Sequence, residues 1–573
     1  MSATKLSGVE VVPDARNDAE FVGKDVSFGH LLLRFFGIYW RSWIVILWPI
    51  ILCPILIYDE STTYRCLYVV AIMALYWVTE ALPLPITSFI PIVLFPLLGI
   101  LSTSDTTTCY LNDTTMMFIA SIAIAIAIEH SGLHLRVAFT IIRIVGCSHR
   151  RLTLGLFLVT MFISMWITNT ATTAMMVPIV ETVLVELESQ GLGKMFIEDE
   201  DDTESSEDSE PTKRPTNVTM AYYLIAAYGS SIGGIGTIVA TGSNLTLKGI
   251  YETRFPDSPG LNFSDWICYA VPPMLVSGLL VWLWLQVMYM GMFRPNSKDA
   301  QAINIGSEGE KIATRIIEQK YRDLGPITWH ELSVGVLFVF VILLWFFRNP
   351  GFVTGWPDYI TETSVKDSTA AMFVIIIMFL LPSKLEFLNA FSKDPSKHPT
   401  KSSPGLITWK LIQTKMHWGL LFVLGGGFAI SQGSTSSGLS DLLGNALSGL
   451  QSLPPMATLF VICLMIEMIT ELTANVAVAN IVLPVVAELC VAIKLHPLYL
   501  MLPAAFCCSF SFHLPVGTPP NAIVSAAGHI KTKDFIVAGI GPTLITLVVI
   551  TVSFPTWGNV IFGVSEFPSW AES

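Results

Sequence analysis

Apolar runs long enough to cross a lipid bilayer recur from one end of this chain to the other. Trp43–Tyr58, Tyr269–Gly291 and Leu332–Phe347 are examples. About 20 apolar residues span the hydrocarbon core of a membrane. Of the 573 residues, 52% are hydrophobic and only 13% charged. A soluble chain would carry about 25% charged residues. The expected fold class is an all-α polytopic membrane protein.

Eleven spans are predicted, at about 39–58, 65–82, 84–101, 115–132, 217–250, 268–291, 330–347, 369–383, 414–433, 497–530 and 535–555. Two further regions, 152–187 and 454–492, read as hairpins, each a pair of apolar stretches broken by polar residues. Residues 1–38 are polar and mixed, with no short apolar core followed by a small-residue cleavage site, so no signal peptide is expected.

Lysine and arginine favour the cytoplasmic side. Five basic sets lie before or at the start of the first span, at 133–151, 292–328 and 384–413, and at Lys531 and Lys533. All five fall inside if the N-terminus is cytoplasmic, and eleven spans then place the C-terminal tail outside. Asn112 and Asn262 begin glycosylation sequons in predicted outside loops. Segment 305–324 reads as an amphipathic cytoplasmic helix. The net charge of −12 says little about partners, because Glu198–Glu210 alone is strongly acidic and reads as a solvated loop. The nine cysteines show no zinc or disulfide spacing, and most, such as Cys53, Cys463, Cys490 and Cys507, lie in apolar segments and read as small hydrophobes. The phosphate-cradling GxxxxGK[ST] pattern is absent, and nothing points to nucleic acid.

The chain repeats itself. Thr168-Asn169-Thr170, with Pro178 following, matches Ala474-Asn475-Val476, with Pro484 following, 306 positions later. Ser131-Gly132-Leu133 falls on Ser437-Gly438-Leu439 at the same offset. Val239-Ala240-Thr241-Gly242-Ser243-Asn244 resembles Val516-Gly517-Thr518-Pro519-Pro520-Asn521 at an offset of 277. A span, a hairpin and a broken span thus recur in order, and the predicted topology runs the two sets in opposite directions. Such inverted repeats place substrate near the midplane at interrupted helices. The repeat units are expected at 102–250 and 414–530. The first includes an acidic cytoplasmic loop at 188–216. Supporting helices are expected at 39–101 and 251–413, and a last helix and tail at 531–573.

At the breaks, helix N-termini offer free N–H groups and partial positive charge, which suits a carboxylate. Carbonyls at the ends of the preceding half-helices suit Na⁺. No Arg lies within either hairpin or break. Glu80, Glu129, Glu467, Glu471 and His513 are the chief ionisable residues that look intramembrane, and such residues are functional candidates. Histidine is the side chain whose ordinary charge change falls near neutral pH, so His513 is the candidate for a proton-linked role.

Four stretches carry a family resemblance: Tyr76-Trp77-Val78-Thr79-Glu80-Ala81, Ser164–Thr172, Leu424–Ala429 and Leu514–Ala522. From about Trp43 to Trp557 the chain resembles the divalent anion:sodium symporter family of di- and tricarboxylate carriers. The resemblance implies an elevator-type homodimeric transporter in the plasma membrane, with no enzymatic activity and no cofactor beyond Na⁺ or H⁺ as coupling ion. It implies substrate contacts at Thr168, Asn169, Thr170, Ala474, Asn475, Val476, Thr518 and Pro519. It also implies one cation site around Ser164, Thr168, Asn169 and Ala240, and another around Thr470, Thr473, Asn475 and Gly517. The family's tip motif is Ser-Asn-Thr, so Ala474 and Val476 depart from it by losing both hydroxyls. The insect branch that the chain most resembles is sodium-independent and handles citrate and succinate, which sets the expectation here. An anion channel would need a continuous polar pore, an intramembrane enzyme would need a catalytic pair such as HExxH, and a transceptor would bind without flux.

Overall fold

The computed structural model describes residues 34–571, apart from 147, 192–193, 199–212, 298–299, 302, 304–305, 352, 395, 397 and 448–452. Lys5, Arg16, Lys24, Lys298 and Lys397 of the basic sets, and nearly all of the acidic stretch, lie outside the described residues.

The chain is almost wholly helical. It opens with α1 (Trp40–Tyr58) and α2 (Thr62–Thr79). The predicted third span is instead two short helices, Leu84–Thr87 and α3 (Ile90–Leu97), because Pro83, Pro85 and Pro91 cannot donate to a continuous ladder. Then come α4 (Asp113–Ser131), α5 (Leu133–Val145), and a hairpin of α6 (His149–Ser164) and α7 (Asn169–Ser189). The fifth span breaks into α8 (Asn217–Gly233) and α9 (Gly242–Arg254). α10 (Phe263–Tyr289), α11 (Gly306–Asp323), α12 (Trp329–Phe346) and α13 (Asp367–Leu380) follow. The second set comprises α14 (Trp418–Ser437), α15 (Leu439–Leu447), the hairpin α16 (Pro455–Thr470) and α17 (Asn475–Ala492), and the broken pair α18 (Pro497–Cys507) and α19 (Pro519–Gly528). α20 (Thr532–Ser553) closes the membrane region.

Seven helices among the described residues are long and apolar enough to cross a membrane, and four shorter apolar helices accompany them. The outer faces are oily: Val276, Leu279, Val336, Val339, Val548 and Val552 are all exposed. On a soluble protein such a surface would aggregate, whereas in a bilayer it faces lipid. α1 buries no residue at all and packs on α2.

Two elements were not expected from the sequence. α5 and α15 are short helices that join a span to its hairpin in each repeat unit. Gly132 and Gly438 make the bend before them, at φ 79° and 77°, a left-handed conformation that favours glycine. The base of the acidic loop is also ordered. β1 (Phe196–Glu198) pairs antiparallel with β2 (Lys213–Pro215), so only its middle lies outside the description.

Helix packing sorts the elements into two sets. α6, α7, α8, α10 and α16 through α20 pack among themselves. α4, α12 and α13 pack together, as do α2 and α14. α9 joins them, packing on α14 and on α17, and the sets also touch directly where α17 packs on α14 and α2 and where α10 packs on α12.

Candidate functional site

Both hairpin tips and both helix breaks are built by the same few hydrogen bonds. In the first half, the Ser164 hydroxyl lies 3.0 Å from Asn169 Oδ1 and 2.7 Å from the Ser230 carbonyl. In the second, the Thr470 hydroxyl lies 3.1 Å from Asn475 Oδ1 and 2.8 Å from the Cys508 carbonyl. Each hydroxyl therefore ties a hairpin tip to the end of the helix that precedes the break.

The breaks are held open by asparagines. Asn244 donates through Nδ2 to the carbonyls of Gly234 (2.9 Å) and Thr237 (2.8 Å). Asn521 donates likewise to Ser511 and Leu514, both at 3.1 Å. The Thr237 and Leu514 carbonyls also accept from the N–H groups of Ala240 and Gly517, and a buried unmatched carbonyl at Gly234 or Ser511 would be costly. Both asparagines are fully buried, and the Oδ1 of each has no hydrogen-bond partner among the described residues. A buried oxygen without a donor is a natural ligand for a small cation. The sequence placed Asn244 on Asn521 but did not single them out as site residues. Their equivalence in the repeat was the signal available.

Glycine lets the tips come close. A Cβ on Gly234 would meet Asn169 Oδ1 at 2.4 Å and Thr241 Cγ2 at 2.7 Å. Ser164, Asn169, Gly234 and Thr241 are therefore one cluster, with Ala240 buried beside it. A Cβ on Gly517 would meet the Ser511 hydroxyl at 2.3 Å and the Glu471 carbonyl at 2.7 Å.

The four helix N-termini at this centre differ in what they leave free. Thr168 caps α7, its hydroxyl accepting from Ala171 N at 3.5 Å. Ala474 has no hydroxyl, and α17 has no side-chain cap. α9 and α19 also lack side-chain caps. Pro519 and Pro520 remove two N–H groups from α19. The free donors for an anion are thus concentrated on α7, α9 and α17.

The halves meet at this centre. A Cβ on Gly242 would lie 2.6 Å from Val476 Cγ2, and the hydroxyls of Ser243 and Ser509 are 2.9 Å apart. Thr473 is drawn off to another element, donating to the Trp77 carbonyl at 3.2 Å. Asn169 and Thr518 are buried, Thr170 and Asn475 half-buried, and Pro519 exposed next to Val516, which is 88% exposed.

Glu471 organises the second break. Its carboxylate accepts from the backbone N–H groups of Phe512 (2.6 Å), His513 (3.0 Å) and Leu514 (3.1 Å), from the Ser511 hydroxyl (2.9 Å), and from His513 Nδ1 (3.1 Å). His513 is thus a partner of Glu471 rather than an isolated base. Of the other ionisable residues read as intramembrane, Glu80 is exposed at the end of α2, and Glu129 pairs with Lys415 near a helix end. Glu467 is buried completely.

Both sequon asparagines are engaged in the fold. Asn112 caps α4 by accepting from Thr115 N at 2.9 Å. Asn262 donates to Asp265 (3.1 Å) and accepts from Arg348 (3.2 Å). Among the described residues no group of three His, Cys, Asp or Glu side chains is arranged to hold a metal ion.

The sequence profile of the sodium:sulfate symporter transmembrane region matches residues 38–564. The chain belongs to this family. As a sodium:sulfate symporter family member it is a multi-pass membrane transporter and not an enzyme. It is 47% identical to "Protein I'm not dead yet" of Drosophila melanogaster, over 94% of this chain and 92% of the relative. It is 39% identical to human "Solute carrier family 13 member 2" over 93% and 95% of the two chains. It is 37% identical to the rat "Na(+)/citrate cotransporter" over 93% and 97%. Among solved structures, the Alcanivorax borkumensis YdaH transporter shares the fold, with a TM-score of 0.52 and 14% identity, covering 82% of this chain and 88% of that one.

Proposed function

We propose that this protein is a secondary active carrier of di- and tricarboxylates such as citrate and succinate. Substrate sits between the two hairpin tips, with carboxylates on the N-termini of α7 and α17. The observation that carries the reading is the pairing of Ser164–Asn169 with Thr470–Asn475, each tip abutting an asparagine-clamped break. Dipoles, amides and hydroxyls neutralise the anion there without a fixed cation. The relatives named for citrate support that substrate class.

Transport is sodium-independent, by exchange or linked to protons. The second tip supports this: Ala474 and Val476 bring no hydroxyl, and the Thr473 hydroxyl is committed to Trp77. The competing reading is sodium symport, favoured by the unpartnered Oδ1 atoms of Asn244 and Asn521. In either case the set built on α6–α8, α10 and α16–α20 slides as an elevator against the set built on α2, α4 and α12–α14. The protein works as a homodimer in the plasma membrane, with its N-terminus cytoplasmic and its C-terminus outside.

The test is uptake of labelled citrate and succinate into expressing cells, with sodium replaced by choline. Uptake that survives replacement supports the sodium-independent carrier. Uptake that needs sodium selects the symport reading. No flux of either substrate under any condition sinks the carboxylate assignment.

A further inference from the structure

Glu467 is a fully buried acid that nothing above employs. Its neighbour one turn on, Glu471, receives five hydrogen bonds, whereas Glu467 Oε2 has no partner. Among the described residues Oε1 has one oxygen partner, the Thr546 hydroxyl at 3.3 Å. That hydroxyl owns one proton, and its shortest partner is the Pro542 carbonyl at 2.8 Å, with the Thr543 carbonyl at 3.2 Å. If the proton goes to Pro542, Thr546 and Glu467 face each other with lone pairs only. The contact becomes a hydrogen bond when the carboxyl carries a proton and donates it to Thr546 Oγ1.

The surroundings agree. α18, α20 and α17 pack against α16. The groups facing Glu467 are Cys463 and Glu471 from its own helix, Cys507 from α18 and Thr546 from α20; α17 supplies none, and no lysine, arginine or histidine is among them. The Cys507 thiol is a weak donor toward it, and a buried carboxylate so poorly supplied with donors costs far more than its neutral acid. A polar line leads from this acid toward the second break: Thr543 lies one turn before Thr546, and its hydroxyl is 3.4 Å from His513 Nδ1, which is bound to Glu471.

We propose that Glu467 is a proton-carrying site of the transport cycle, held as a neutral carboxylic acid in this conformation and deprotonated where the cycle brings it to water. In that step the O–H bond breaks, the electron pair stays on the carboxylate and H⁺ passes to water. The coupling rests on the carrier reading, but the protonation state does not.

Two measurements on the full chain separate them. Infrared spectra of the purified protein near neutral pH show a carboxylic-acid C=O band that disappears in Glu467→Gln. A spectrum unchanged by the substitution overturns the proposal, whether or not carboxylates are transported. In uptake assays, wild type has a pH limb approaching about tenfold per unit, as for a single proton, and E467Q flattens it to less than about twofold. The titration of the substrate itself is common to both. A pH-independent wild type, or an E467Q profile that keeps the limb, overturns the coupling role, and the latter outcome points to His513. If E467Q does not accumulate, Glu467→Met fills similar volume without a polar group and takes its place.

Discussion

A single asparagine at each break decides whether the interrupted helix holds its shape. Asn244 and Asn521 each donate to two carbonyls at the break. Replacing either with alanine removes two buried hydrogen bonds; the Thr237 and Leu514 carbonyls keep a backbone N–H, from Ala240 and Gly517, while the Gly234 or Ser511 carbonyl loses its side-chain donor. Each substitution is expected to cost about 2–4 kcal/mol, read as a lower unfolding temperature in detergent, together with loss of uptake. A mild stability loss from one and a severe loss from the other would refute their equivalence. Glu471→Gln is a sharper case. One carboxylate oxygen becomes an NH₂ that faces donors, since every partner of Glu471 is an N–H or O–H. A loss of about 2–4 kcal/mol follows, and thermal melts of the purified variant check it. Gly234→Ala drives a methyl into Asn169 Oδ1. The tip then separates from Ser164, and uptake falls while surface expression persists.

Elements here begin and end where local chemistry tells them to. The bends at Gly132 and Gly438 are left-handed. At Gly132 no other atom lies within 4 Å of an added Cβ, so alanine there tests conformation alone. Gly132→Ala is expected to cost about 1–2 kcal/mol, and Gly438→Ala about the same, measured by thermal unfolding. Both positions stood in register in the sequence, yet the helices α5 and α15 were not expected, and Arg136 and Arg143 entered only as part of a basic set placed on the cytoplasmic side. In the structure Arg136 is buried against Glu331 at 3.1 Å, and Arg143 meets Glu318 of α11 at 3.1 Å. Charge counted along the chain cannot tell a paired arginine from a free one.

The molecule as a whole is stitched across its two helix sets by charge. Lys248 of the bridging helix α9 is only 2% exposed in its side chain and lies 3.9 Å from Asp367 of α13, which also binds Arg348. Lys248 keeps its ion pair with Glu252 when Asp367 is neutralised, but Arg348 loses its carboxylate, and a buried charge left without its partner is costly. Asp367→Asn is expected to destabilise by about 3–5 kcal/mol, seen as a lower melting temperature.

The sequence alone determined that the chain lives in a membrane, where its helices run, and that two polar breaks recur in paired order. These follow from apolar length, from prolines and glycines, and from a repeat that can be aligned by eye, all of them properties of neighbours along the chain. The tertiary structure alone decided which oxygens are satisfied. Glu467 and Glu471 are four residues apart and chemically identical, yet Glu471 receives five hydrogen bonds and Glu467, among the described residues, has one oxygen partner. The difference comes from the loop 511–514 and from Thr546, which reach these carboxyls from far along the chain. Partnership of a buried polar atom is a matter of three-dimensional neighbours, and no local pattern records it.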